Sequence, residues 1–118
     1  MKLSNRELGK LGEDYAANWF CDQGYQILDR NWRTNRVELD LVVAKQDLVI
    51  FVEVKTRSNY NFGGAALALS QQKISHLRQA ALFWLKKNKY YAARIRIDLV
   101  ALQYTNNEFS LTHIHGVD

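Results

Sequence analysis

Two neighbouring apolar segments carry four charges where a sheet ordinarily wants uncharged side chains. The first reads Val37-Glu38-Leu39-Asp40-Leu41-Val42-Val43, the second Leu48-Val49-Ile50-Phe51-Val52-Glu53-Val54-Lys55. Their β-branched and aromatic content predicts two strands. The polar stretch Lys45-Gln46-Asp47 between them predicts a hairpin turn. With Gln46 and Asp47 as the turn residues, Lys45 pairs with Leu48. Counting back sets Asp40 opposite Glu53 and Glu38 opposite Lys55. Side chains alternate between faces along a strand, so all four charges are expected on one face. Directly opposed carboxylates, about 5 Å apart, cannot both ionise comfortably unless a positive charge lies between them. Hard divalent cations take such oxygen ligands, together with water and phosphate oxygens. Asp40 and Glu53 therefore form a candidate metal site, with Lys55 beside it as a fixed cation or proton-transfer group. The bland alternative is a solvated hairpin face on which Lys55 compensates the acids.

The 118 residues fit one domain spanning 1–118, large enough to bury about two-thirds of the unfolded chain's surface. Cys21 is the lone cysteine, which excludes an internal disulfide and a cysteine-rich zinc site. It reads as a packing residue. The first residues do not resemble a signal peptide. No apolar run approaches the roughly 20 residues that span a bilayer, so a cytoplasmic protein with no membrane partner is expected. The net charge of +4 favours an anionic partner.

Elements on either side of the hairpin follow from periodicity. Ser4 and Glu7 form a capping box opening a helix to about Asp22, whose apolar stripe is Leu8, Leu11, Tyr15, Ala16, Trp19 and Phe20. Gly24 stops it. Glu13 borders that stripe. A strand is expected at 25–32 and a polar, glycine-ended loop at 57–64. A helix runs from about Ser70 to Lys89, with Ser70 at its N-cap. A strand follows at 93–102, in which Arg96 and Asp98 read as a structural pair. A short final strand at 109–114 carries His113 and His115 on one face; they could bind a metal, although a frayed terminal strand is the plainer reading. The order is helix, three strands, helix, strand and one edge strand, hence a mixed α/β sheet flanked by helices.

Arg30-Asn31-Trp32-Arg33-Thr34-Asn35-Arg36 interleaves three arginines with a tryptophan. Arginine clamps phosphate and aromatics stack on unpaired bases, so Arg30, Trp32, Arg33 and Arg36 are candidate nucleic-acid contacts. A polar turn with Trp32 packed beneath it is the competing reading. Arg57, the loop Tyr60-Asn61-Phe62-Gly63-Gly64 and Lys73 are further candidates. Lys86, Lys87 and Lys89 read as dipole complementation at a helix end.

Asp40, followed on the next strand by Glu53-Val54-Lys55, resembles the PD-(D/E)XK nuclease superfamily, whose restriction-endonuclease-like core has the order αβββαβ. Glu13 is similar to an extra acid of its Holliday-junction-resolvase branch. Over nearly its whole length the chain looks like the YraN-type family of small uncharacterised bacterial proteins. The matching segments are Gly12-Glu13-Asp14-Tyr15-Ala16, Asn31-Trp32-Arg33, Glu38-Leu39-Asp40-Leu41, Phe51-Val52-Glu53-Val54-Lys55-Thr56-Arg57 and Arg96-Ile97-Asp98. Leu39 stands where the superfamily label has proline, and Val37 where the family usually has glycine. The resemblance implies a Mg²⁺- or Mn²⁺-dependent endonuclease acting on DNA, including branched or damaged structures. It implies metal binding by Asp40, Glu53, the Val54 carbonyl and Glu13, with Lys55 catalytic and Glu38 supporting. A homodimer would suit cutting of two strands. The rivals are a nucleic-acid-binding module without chemistry and a protein-interaction subunit.

Overall fold

A computed structural model describes residues 2–34, 37–58, 69–92 and 94–118. Its elements are α1 (Asn5–Asp22), β1 (Gln26–Arg33), β2 (Glu38–Lys45), β3 (Leu48–Arg57), α2 (Gln71–Lys87), β4 (Arg94–Thr105) and β5 (Glu108–Ile114). This is the expected order, αβββαβ with an added edge strand. Ser4 caps α1 reciprocally: its hydroxyl accepts from the Glu7 amide and its own amide donates to the Glu7 carboxylate. Gly24, at φ +91°, supplies the left-handed residue that turns the chain into β1. Ser70 accepts from the Lys73 amide at the start of α2.

The described strands form one sheet in chain order, β1-β2-β3-β4-β5. Neighbours are antiparallel except β3 and β4, which run parallel. Parallel strands need a crossover, and the connection between these two contains α2. The β2–β3 hairpin has the expected register, Lys45 against Leu48, with Gln46 at φ 55° in the turn.

Each helix covers one face. On one side Leu77, Ala80, Ala81 and Trp84 of α2 pack on Val42, Ala44, Val49, Phe51 and Ile97. On the other Ala16, Ala17 and Phe20 of α1 pack on Leu41, Val43, Ile50, Val52 and Val100. Burial on both faces explains the near-continuous apolar runs of the central strands. Trp84 also donates its indole N–H to Asp29 of β1 at 2.9 Å, tying α2 to the far edge of the sheet.

The buried stripe of α1 differs from the expected one. It comprises Leu8, Gly12, Ala16, Ala17 and Phe20, while Leu11 and Tyr15 are exposed. The cause is a close approach at Gly12. A Cβ built there would lie 2.2 Å from Thr56 Oγ1 of β3, so only glycine lets the helix backbone sit this near the strand. Gly12, Ala16 and Ala17 face the sheet between Leu8 and Phe20, in place of Leu11 and Tyr15, and Glu13 is rotated towards the ends of β2 and β3. Among the described residues no helix is long and apolar enough to cross a membrane.

Candidate metal centre at the open end of the central hairpin

The pairing of β2 with β3 ends at Leu41 and Val52, one step before Asp40 and Glu53. The Val54 amide then donates to Asp40 Oδ2 at 2.8 Å, a side-chain oxygen where a ladder carbonyl would otherwise accept. The two strands part here, and the Asp40 carboxylate fills the parting.

A change of phase on β1 and β2 accompanies the opening. Asn31 lies in β1 with φ 52°, a left-handed conformation that asparagine tolerates better than most residues. Its neighbours pair as Arg30 with Leu41 and Trp32 with Leu39. Leu39 packs in the same α2-side cluster as Val42 and Ala44, whereas strict alternation from Val42 would put residue 40 there and residue 39 on the opposite face. Trp32 joins Leu39 on that side. Glu38 consequently turns towards Glu13 of α1. Glu53 turns to α2, with Oε2 3.0 Å from Lys73 Nζ. The expectation that Glu38, Asp40, Glu53 and Lys55 share one face of the hairpin is therefore corrected. The acids reach the opening from both faces, and Asp40 lies between them.

Carboxylate oxygens of Glu13, Glu38 and Asp40 all lie within 4.8 Å of one another. With its amide nitrogen turned to donate, Asn31 stands 2.9 Å from Glu13 Oε1 and 3.2 Å from Glu38 Oε1, bridging the two. Asp40 and Glu53 are only 8% and 9% exposed. Burial, then the charge of Glu53 and a hydrogen bond with it, push the Asp40 carboxyl up to about 8, against the pull of the Val54 amide; Glu13 adds to the rise. Burial also raises Glu13, with Glu38 contributing and Arg30 and Asn31 opposing. Without a cation beside it, Asp40 holds a proton at neutral pH, as a buried carboxyl next to another does.

The remaining candidates are dispersed. Lys55, on β3, lines a cleft of about 560 Å³ with Glu13, Val54, Thr56, Arg57 and Gly9. Arg57 is exposed and donates to the Thr56 carbonyl. Lys73 is held on Glu53, a role the sequence did not suggest. Arg30 forms an ion pair with Asp14 of α1, and Arg33 one with Glu38 at 3.3 Å. Trp32 is half-buried, its ring centroid 6.1 Å from that of Phe83. With Arg33, His76, Phe83 and Lys87 it lines a second cleft, of about 670 Å³, beside α2. Arg36 and the loop Tyr60-Asn61-Phe62-Gly63-Gly64 lie outside the described residues. Asn31 and Gly12 stand in segments that match the family, but the pattern assigns neither a role of its own. An asparagine inside an otherwise strand-like segment was the available signal for the first, because of its left-handed tolerance.

An α/β sheet with a helix on each face, gathering Glu13, Glu38, Asp40 and Glu53 at one opening, defines the class of this protein. The model of the uncharacterised protein family UPF0102 matches residues 12–102, and the chain belongs to that family. A UPF0102 protein of Syntrophomonas wolfei is 41% identical over 110 residues, covering 93% of this chain and 96% of the relative. One from Mycolicibacterium vanbaalenii is 39% identical over 115 residues, covering 97% and 95%. One from Dictyoglomus turgidum is 34% identical over 100 residues, covering 85% of each.

Proposed function

We propose that this protein is a divalent-metal-dependent phosphodiesterase that cuts nucleic acid, with DNA of branched or damaged structure as its substrate. The observation that carries the reading is the buried contact of Asp40 with Glu53, with Glu13 close by. This arrangement raises the folded protein's affinity for positive charge. The donors fit the group: all are hard oxygens, which suit Mg²⁺ or Mn²⁺ rather than softer ions. Asp40 and Glu53 would hold the ion, with Glu13 and the Val54 carbonyl completing the protein's share. A strand residue points its N–H and C=O to the same edge, and the Val54 N–H already faces Asp40. When bound, the ion offsets charge on the phosphate and acidifies a water. Lys55 stabilises charge developing on the phosphate or positions the attacking water. Asn31 holds the carboxylate of Glu13 and ties it to that of Glu38. Arg57 and Arg33 would hold backbone phosphates, and Trp32 would stack on an unpaired base. The likeness of Asp40 and Glu53-Val54-Lys55 to the PD-(D/E)XK pattern supports the same reading.

The ion pair of Lys73 with Glu53 favours a second reading, a nucleic-acid-binding module in which the ammonium permanently takes the place of the metal. Calorimetric titration of Mn²⁺ to millimolar concentration, into wild type and Asp40→Ala, separates the two. Binding lost in the variant supports the enzyme, and cleavage of a panel of duplex, nicked and branched DNA completes the test. Cleavage that persists unchanged in Asp40→Ala refutes the mechanism. Salt-dependent nucleic-acid binding without metal uptake or cleavage supports the module.

A further inference from the structure

Away from the acid cluster, the C-terminal end of β5 brings two imidazoles together over a buried carboxylate. Asp98 on β4 is fully buried. It accepts from Arg96 through Nε at 2.8 Å and Nη2 at 2.9 Å, and from the Gly116 amide at 2.9 Å. His113 Nε2 lies 2.7 Å from Asp98 Oδ2. The carboxylate can only accept, so His113 carries its proton on Nε2 and presents the lone pair of Nδ1. His115 Nε2 lies 3.1 Å from that Nδ1. The ring centroids are 4.0 Å apart, so the two imidazoles lie against each other, with His115 Nε2–H donating to the Nδ1 lone pair of His113 while no ion is bound.

We infer that His113 Nδ1 and His115 Nε2 form a binding site for a nitrogen-preferring divalent cation of the Zn²⁺, Ni²⁺ or Cu²⁺ type, with Asp98 as the carboxylate that orients His113. At metal–nitrogen distances of about 2.0–2.1 Å, nitrogens 3.1 Å apart subtend roughly 95–100° at the ion, close to the tetrahedral value. The carboxylate–histidine–metal arrangement fixes both tautomer and ring direction. Here the ring is also wedged edge-on between Trp19 and Phe20, and only 9% of the His113 side chain is exposed. Imidazole pairs suit Zn²⁺, Ni²⁺ and Cu²⁺ in a way the oxygen-only cluster of Glu13, Glu38 and Asp40 does not. His115 is exposed, which leaves the other coordination positions to water. On uptake the proton of His115 moves from Nε2 to Nδ1. Arg96 is the cation facing the site, and its two bonds to Asp98 neutralise it. The neighbouring tail is already pinned to β4, with the Val117 amide donating to the Ile97 carbonyl at 2.8 Å. A bound ion would clamp that tail to the sheet.

The test is titration of Zn²⁺ alone into metal-stripped protein, followed by imidazole nitrogen NMR. His76, on α2, is the internal control, being the remaining histidine of the three. One equivalent should move the His113 and His115 signals and leave His76 in place. The thermal midpoint should rise with Zn²⁺ in wild type and not in His115→Ala, and Zn²⁺ affinity should fall at least tenfold in that variant. The same titration in Asp40→Asn should be unchanged, which separates this site from the acid cluster. Unmoved His113 and His115 signals at millimolar Zn²⁺, equal movement of all three histidines, or undiminished affinity in His115→Ala would each overturn the inference.

Discussion

Asp40→Asn is the perturbation that most directly probes the buried acids. Asparagine keeps the shape and an oxygen to accept from the Val54 amide 2.8 Å away, but it cannot ionise. In the folded protein burial and Glu53 raise the Asp40 carboxyl from its ordinary 3.8 to about 8. The folded state therefore binds a proton more tightly than the unfolded chain, and wild-type stability falls as pH rises between those values. At about 1.36 kcal/mol for each tenfold change in proton affinity, the cost at full ionisation has an upper bound of about 5–6 kcal/mol. Relaxation and water at the opening relieve part of that penalty, so the effect at this residue is about 2–5 kcal/mol. Without divalent metal, the variant should be more stable than wild type at pH 8 by that amount. The gain should shrink as pH falls and vanish below about pH 4. For a chain of this length, 1 kcal/mol moves the melting temperature by about 4 °C, so a difference of about 8 °C or more is expected. Urea unfolding across pH 4–9, in EDTA, measures it. A variant no more stable than wild type at pH 8, or a gain that does not change with pH, refutes the account of the acids. Millimolar Mn²⁺ should stabilise wild type and leave the variant unchanged.

Three further outcomes follow from the packing around the opening. Gly12→Ala should cost about 1–3 kcal/mol, because its Cβ would meet Thr56 Oγ1 at 2.2 Å; thermal unfolding measures this, and adding Thr56→Ala should recover part of the loss. Lys73→Ala removes the ammonium 3.0 Å from Glu53 and should raise Mn²⁺ affinity severalfold in calorimetry; unchanged or weaker binding would show that Lys73 does not compete for that carboxylate. Trp84→Phe removes the 2.9 Å bond to Asp29 and should cost about 1–3 kcal/mol in chemical denaturation, since it leaves a part-buried acceptor unsatisfied.

What the sequence revealed, and what it concealed, divides along the reach of the physics involved. Element order, the Ser4 capping box, the Gln46-Asp47 turn and the Ser70 N-cap all depend on residues a few positions apart, and each was legible. The hairpin register was legible too, because the turn residues fix it. The faces of the charges were not. Alternation holds only while a strand keeps its phase, and here the phase changes at Asn31 and Asp40, across a pair of strands. The left-handed φ of Asn31 makes the change possible on β1, and its amide then secures the result by bridging Glu13 and Glu38. Long-range packing also chose the face of α1, through the contact of Gly12 with Thr56, against the pull of the larger Leu11 and Tyr15.

These two departures from regularity act together. A regular hairpin would have set Glu38, Asp40 and Glu53 in a row on the α2 side, where Lys73 is the cation already placed at Glu53. A regular amphipathic α1 would have buried Leu11 and Tyr15 and turned Glu13 away. The phase change and the glycine contact instead bring carboxylates from both sides of the sheet to one gap. Both features cost stability, the first in backbone strain and the second in the conformational freedom glycine loses on folding. The phase change does carry Leu39 and Trp32 into the α2-side core, but most of the apolar contacts lie further along β2 and β3. Irregularities that oppose local preference and converge on one group of buried acids are best understood as serving that group. If so, replacing Asn31 by Val, which suits a regular strand, should disperse the acids while leaving the sheet intact. Asp40 should then lose part of its raised proton affinity, and Mn²⁺ binding should weaken with little change in the far-ultraviolet circular dichroism. A variant that binds Mn²⁺ as wild type does would show that the left-handed turn at Asn31 has no part in assembling the site.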